Sequence, residues 1–198
     1  MNTQYSRLFR IVVLACFAIH APVIAADKAV AGGAYDKKLE LQGITFHVTC
    51  PNKGSLNRLT IIPAGLTGEN RKIEVEVDGT VTGGEVGDLN ADGSPEIYVY
   101  TQSAGSGSYG SVIAYSSNKK KSLSPVTLPD LMQNKKAATG YMGHDEFAVV
   151  ENRLVRRFKL HEVTDTNSKP TGKTRQISYR LDAGEAGWIL RETPFTDI

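Results

Sequence analysis

From Leu39 onward the apolar residues of this chain fall largely on alternate positions. Leu41, Ile44, Phe46 and Val48, then Leu59 and Ile61, then Ile73, Val75 and Val77 follow one another at a period of about two, which is the spacing of strands with one buried face. Turn-forming residues separate these runs: Pro51-Asn52-Lys53-Gly54, Pro63-Ala64-Gly65, Asp78-Gly79 and Gly83-Gly84. The Asp78-Gly79 pair between Val77 and Val81 predicts a tight hairpin. Further on, Ile97-Tyr98-Val99-Tyr100-Thr101 and Val112-Ile113-Ala114-Tyr115 are β-branched or aromatic and bounded by Gly, Ser and Asn, so they read as neighbouring strands.

The same pattern continues through 146–150, 154–161, 177–181 and 188–191. Residues 130–138 suit a helical turn or two, closed by Gly140. No long helical stripe and no internal repeat is evident. About eight or more short strands with regular turns predict an all-β fold, an antiparallel β-sandwich or barrel with at most a short helix.

The N-terminal segment follows a different logic. A positively charged head, residues 1–10, precedes the apolar run Ile11 to Ala21, and Val23-Ile24-Ala25 offers small residues for cleavage. This order is that of a secretory signal peptide over residues 1–25. The run is too short for a bilayer core, which takes roughly 20 apolar residues, so no membrane association is expected after cleavage. Val13-Leu14-Ala15-Cys16 has some likeness to a lipoprotein box, but Phe17-Ala18-Ile19 carries the hydrophobic stretch past it. Residues 26–36 read as a flexible lead-in and 37–198 as one domain. Once Cys16 leaves with the leader, Cys50 has no partner for an internal disulfide, and it reads as a small buried apolar residue.

Composition narrows the function classes. The 198 residues are 22% charged and 40% hydrophobic, an ordinary globular balance. Arg7 and Arg10 belong to the leader, and without them basic and acidic residues balance, which argues against a nucleic-acid partner.

Asp88, Asn90 and Asp92 alternate ahead of Gly93, the opening of a calcium loop. Val99 stands where an EF-hand would need its bidentate acid. Glu96 could serve a shorter cation loop, and a structural turn capped by Asp88 and Asn90 explains the same residues. Gly105-Ser106-Gly107-Ser108-Tyr109-Gly110 is a formal G-x-G-x-x-G, but a strand follows it, whereas a dinucleotide loop must open a helix. His47, His144 and His161 lack the paired spacing of a zinc site. His144-Asp145-Glu146 is explained as well by a polar turn as by acid–base chemistry. With no base, metal or cofactor motif, no enzyme activity and no cofactor are expected. What remains is a small, hydroxyl-rich loop, 101–110, tipped by one aromatic.

The stretch from Gly87-Asp88-Leu89-Asn90-Ala91-Asp92-Gly93 through Tyr98-Val99-Tyr100-Thr101 to Gly110 resembles the bacterial periplasmic inhibitors of invertebrate-type (I-type) lysozyme. The similarity extends through 121–124, Arg157-Phe158 and 170–172 to Gly184-Glu185-Ala186-Gly187-Trp188. Its most specific piece is Ser106-Gly107-Ser108-Tyr109, which is similar to that family's Ser-Gly-x-Tyr inhibitory motif. The resemblance implies packed antiparallel sheets, a periplasmic location, no catalysis, and a loop that enters the lysozyme cleft. Ser106 and Tyr109 would offer hydroxyls to the target's carboxyl groups, Gly107 would permit close approach, and Ser108 would act as spacing. The oligomeric state stays open, a homodimer included. The alternative from a different class is a periplasmic β-sandwich module that binds glycan or calcium through the Asp88–Glu96 loop.

Overall fold

A computed structural model describes residues 33–198. The readings of a signal peptide, of a lipid-modified Cys16 and of most of the lead-in lie outside these residues.

Thirteen strands make up the described chain, in two sheets. The first sheet is an antiparallel meander of β1 (Tyr35–Leu41), β2 (Ile44–Cys50), β3 (Leu56–Ala64) and β4 (Ile73–Asp78). The first of these begins at Tyr35, inside the stretch read as lead-in. The second sheet contains β5 (Thr80–Gly87), β6 (Glu96–Gln102), β7 (Gly110–Asn118), β8 (Ser122–Thr127), β9 (Glu146–Val150), β10 (Arg153–Lys159), β11 (Thr174–Ala183) and β12 (Trp188–Glu192), with the two-residue β13 (Thr196–Asp197) paired to β11. Its order is β5-β6-β7-β8-β12-β11-β10-β9. The Val149 N–H of β9 donates to the Glu85 carboxylate of β5, which draws the two ends of this sheet together into a nearly closed barrel.

The all-β prediction therefore holds, with two refinements. Strand β12 pairs with β8 in parallel through Trp188↔Val126 and Ile189↔Thr127, while the other described pairings are antiparallel. A parallel pair requires a long connection, and residues 128–187 with three strands supply it. The helical turn predicted in 130–138 is a single 3-10 turn, Leu131–Gln133, whose N-cap Asp130 accepts the Met132 N–H at 2.9 Å.

The hairpin predicted at Asp78-Gly79 does not form. Strand β4 pairs with β3 and β5 pairs with β6, so the chain changes sheets at this dipeptide. Gly79 has φ +105°, and a Cβ there would overlap the Gln102 carbonyl oxygen. Asp-Gly supplies the backbone freedom that either a hairpin or a corner needs, and here the corner is the one that lets the sheets pack face to face.

Two apolar interiors result. Phe46, Val48, Cys50, Leu59 and Ile61 of the first sheet pack with Ile97 and Val99 of β6. Tyr98 and Tyr100 of the same strand point the other way, into the barrel, with Ala114, Leu154, Phe158, Ile177 and Leu190. Alternation thus explains why β6 is buried at six successive positions: both of its faces are covered. Cys50, 1% exposed, is a free thiol in the first interior, the small buried residue that the sequence suggested.

Candidate functional site

The loop 103–109 joins the doubly buried strand β6 to β7, and its form is set by short-range bonds. The Ser103 N–H donates to the Tyr109 carbonyl at 2.9 Å, and the Tyr109 N–H donates back to the Ser103 hydroxyl at 3.0 Å, closing the base of the loop. At the tip the Ser108 N–H reaches the Gly105 carbonyl at 2.9 Å. Ser108 has φ +45°, a left-handed conformation that costs an L-residue energy unless the surroundings hold it.

Of the four motif residues, Ser106 and Tyr109 are exposed, Ser108 is half-buried and Gly107 is buried. Gly107 also makes room inside the loop: a Cβ there would overlap the Tyr109 ring and push it from its place. The ring, 48% exposed, folds back over the loop and meets Tyr141 edge to face at 5.7 Å between centroids. Beside it opens a groove of about 580 Å³ lined by Tyr109, Ser111, Asp130, Met132, Tyr141 and Arg156, among others.

Underneath lies a polar group of unusual burial. Asp145 and Arg156 have side chains 0% and 6% exposed and meet at 2.7 Å. The Tyr141 hydroxyl donates to Asp145 Oδ2 at 2.7 Å and accepts from Arg156 Nη2 at 2.8 Å. The guanidinium also sits 5.0–5.7 Å from the ring centroids of Tyr141, Phe147 and Phe158, a cation–π setting. Burial is the largest single effect and works against the Arg156 charge, but the charge and hydrogen bond of Asp145, with Tyr141 and Tyr179, together outweigh it and hold the guanidinium pKa above its ordinary value. Burial, then the Asp145 charge, push the Tyr141 hydroxyl pKa up. A buried charge pair needs its remaining valences satisfied, and one of them is met at the boundary of the 103–109 loop: the Gly110 N–H donates to Asp145 Oδ2 at 2.7 Å.

A second loop, 161–173, flanks the motif. The Asn167 amide donates to the Ser106 hydroxyl at 3.3 Å, and the Asn167 carbonyl lies 2.9 Å from His144 Nε2 and 3.2 Å from His161 Nε2. Hydrogen bonds from the Thr171 and Glu162 backbone and from the Thr171 hydroxyl hold the Asp165 carboxyl below its ordinary pKa and tie this loop to itself. His144 and His161 are thus packing and bridging residues near the motif, whereas His47 pairs with Asp36 on the first sheet.

The structure does not bring Asp88, Asn90 and Asp92 to this site. Their oxygens face their own backbone: Asp88 accepts from the N–H groups of Asp92 and Gly93, Asn90 from that of Asp92, and Asp92 from that of Ser94, at 2.8–3.2 Å. Gly93 takes φ +79°. These are the bonds of a structural turn. Among the described residues no group of three or more His, Cys, Asp or Glu is placed to hold a metal ion. Glu96 lies inside, accepting from the Leu89 N–H at 2.8 Å and the Ser116 hydroxyl at 3.1 Å, and burial pushes its pKa up to about 7 against those bonds.

Sequence reasoning did not single out Tyr141, Gly143, Arg156 or Asn167, all of which touch the motif or its support. One of them left a signal. Arg156 stands between Leu154 and Phe158 on the inward face of an alternating strand, where an arginine demands a buried acceptor.

Residues 69–140 match the family model described as periplasmic lysozyme inhibitor of I-type lysozyme. The matched stretch runs from the end of the first sheet through β8 and contains both the Asp88 turn and Ser106–Tyr109. The resemblance read from the sequence is thereby shown over these residues, while the positions quoted for it between 157 and 188 lie beyond the match; the matched family is described as one of lysozyme inhibitors. Comparison with curated proteins and with solved structures gives no match.

Proposed function

We propose that this protein inhibits I-type lysozyme by placing the Ser106–Tyr109 loop in the enzyme's active-site cleft. The observation that carries the reading is the presentation of the motif: Ser106 and Tyr109 are exposed on a loop whose backbone is bonded at its base and at its tip. Glycoside hydrolysis of this kind commonly relies on two carboxyl groups flanking the scissile bond. Ser106 uses its oxygen to accept from Asn167, which leaves its O–H proton to donate to a carboxylate. The Tyr109 phenol adds a second donor, and its ring adds apolar area. A loop already ordered when free loses less conformational entropy on binding than a floppy one.

The protein would reach its target after export through the leader 1–25, as a soluble periplasmic protein with no cofactor. Purified mature protein should inhibit an invertebrate-type lysozyme more strongly than chicken- or goose-type enzymes in a cell-wall lysis assay. Absence of inhibition of the invertebrate-type enzyme at a large excess of the protein overturns the proposal. A calcium-dependent rise in melting temperature, with no lysozyme binding, would favour the cation- or glycan-binding module instead.

A further inference from the structure

Three consecutive residues outside the motif and beyond the matched stretch hold the motif's backbone. Gly143 has φ +91°, and a Cβ there would overlap the Gly107 carbonyl oxygen, so the turn 141–145 lies flat against the loop. The His144 N–H donates to the carbonyls of Gly107 at 3.0 Å and Ser108 at 3.2 Å. Asp145, fixed by Arg156 and Tyr141, accepts the Gly110 N–H. Ser108 keeps its left-handed φ inside this frame. The bonds within the loop close its base and tip, but they do not fix how the tip is turned relative to the barrel; the 141–145 turn holds its backbone, and beside it the Asn167 amide reaches only the Ser106 side chain.

We propose that Gly143, His144 and Asp145 are positioning residues for inhibition, holding the Ser106–Tyr109 loop in its target-ready form before the target arrives. The inference rests on the functional reading above and extends it to residues that need not touch the lysozyme. Its kinetic signature differs from that of a contact residue. If only a fraction of free molecules carries the competent loop, the apparent dissociation constant rises by the inverse of that fraction. The loss then appears in the association rate, while the dissociation rate, set by contacts within the complex, stays put. Removing a contact acts chiefly on dissociation.

Two variants test this in the full mature protein. Gly143→Ala introduces the overlapping methyl group, and Tyr141→Phe removes the hydroxyl that orients Asp145 while keeping the ring. Each should slow association with an I-type lysozyme, by about tenfold if one molecule in ten retains the competent loop, with little change in dissociation. Amide hydrogen exchange at Ser108, Tyr109 and Gly110 should speed up in the same variants while exchange in β6 does not. Unchanged rates and unchanged exchange overturn the inference, and so does an effect confined to dissociation. If Gly143→Ala fails to fold, Tyr141→Phe decides. If the wild-type protein binds no lysozyme, the functional reading falls on its own. The exchange measurement, which needs no target, then decides whether the turn holds the loop: faster exchange in the variants supports it and unchanged exchange overturns it.

Discussion

The Arg156 guanidinium meets the Asp145 carboxylate at 2.7 Å inside the barrel, and the same carboxylate accepts the N–H of Gly110, the residue that follows Tyr109. A strand of the barrel and the motif at its end are therefore joined through one acidic side chain. Burying such a pair costs desolvation, which close geometry and further hydrogen bonds offset. The Tyr141 hydroxyl and the Gly110 amide provide those bonds.

Arg156→Met should destabilise the fold by about 3–5 kcal/mol, because it strands the buried Asp145 charge. Urea unfolding at neutral pH measures the loss. Adding Asp145→Asn to the same chain should recover part of it, since the stranded charge is then gone. Equal losses in the single and double variants would show that the pair contributes through packing alone.

Ser106→Ala and Tyr109→Phe should each weaken the lysozyme complex without altering the melting temperature. A hydrogen bond to a charged partner is worth roughly 1.5–3 kcal/mol, which corresponds to about a 10- to 150-fold loss of affinity. Calorimetric titration against the enzyme reads it directly. Intact binding in the folded Ser106→Ala, Tyr109→Ala double variant would place the contact surface elsewhere.

Asp92→Ala should act in the opposite sense. Its carboxylate accepts the Ser94 N–H and meets the Asn90 amide, far from Ser106 in the bonding network. Losing a side-chain hydrogen bond of this kind costs roughly 0.5–1.5 kcal/mol, so the melting temperature should drop while inhibition below the transition stays near wild type. A fall in inhibition larger than the fall in stability would give the Asp88 turn a direct part in binding.

Much of the scaffold was legible because strands with one wet face alternate, and these do. The Asp78-Gly79 corner was not, because the dipeptide satisfies a hairpin and a change of sheet alike; the choice depends on Gln102, which approaches from another strand. The parallel pairing of β12 with β8 was hidden for a similar reason, since a pairing across some sixty residues leaves no local trace. At the site, the outward residues of the motif could be read from composition and resemblance. The support for them could not: Gly143 is an ordinary turn glycine until Gly107 is placed beside it. Arg156 was the exception, an inward arginine whose partner could have been sought.

Stability should fall as pH rises from about 4.5 to about 7. Glu96 has an ordinary pKa near 4.5 and a folded value of about 7, so between these limits the folded chain holds a proton that the unfolded chain has lost. The contribution is full below the unfolded value and is lost as pH rises to the folded one, a change on the order of 3 kcal/mol at about 1.4 kcal/mol per unit. Burial shifts Glu85 in the same direction. Unfolding free energies measured between pH 4.5 and 8 should show this slope in the wild type and a shallower one in Glu96→Gln. A wild-type profile that rises across this range contradicts the assignment.

Strand β6 has no solvent side, since Ile97 and Val99 belong to one interior and Tyr98 and Tyr100 to the other. Opening its amides breaches both interiors, so the strand is expected among the most protected in amide exchange. The stretch 69–140 accordingly has no folding autonomy: it forms one wall of each interior, and the opposing walls come from β1–β3 on one side and β9–β12 on the other. The Ser106–Tyr109 loop grows from a strand buried on both faces, so a protease should cut the loop tip more readily than it loosens the stem that carries it.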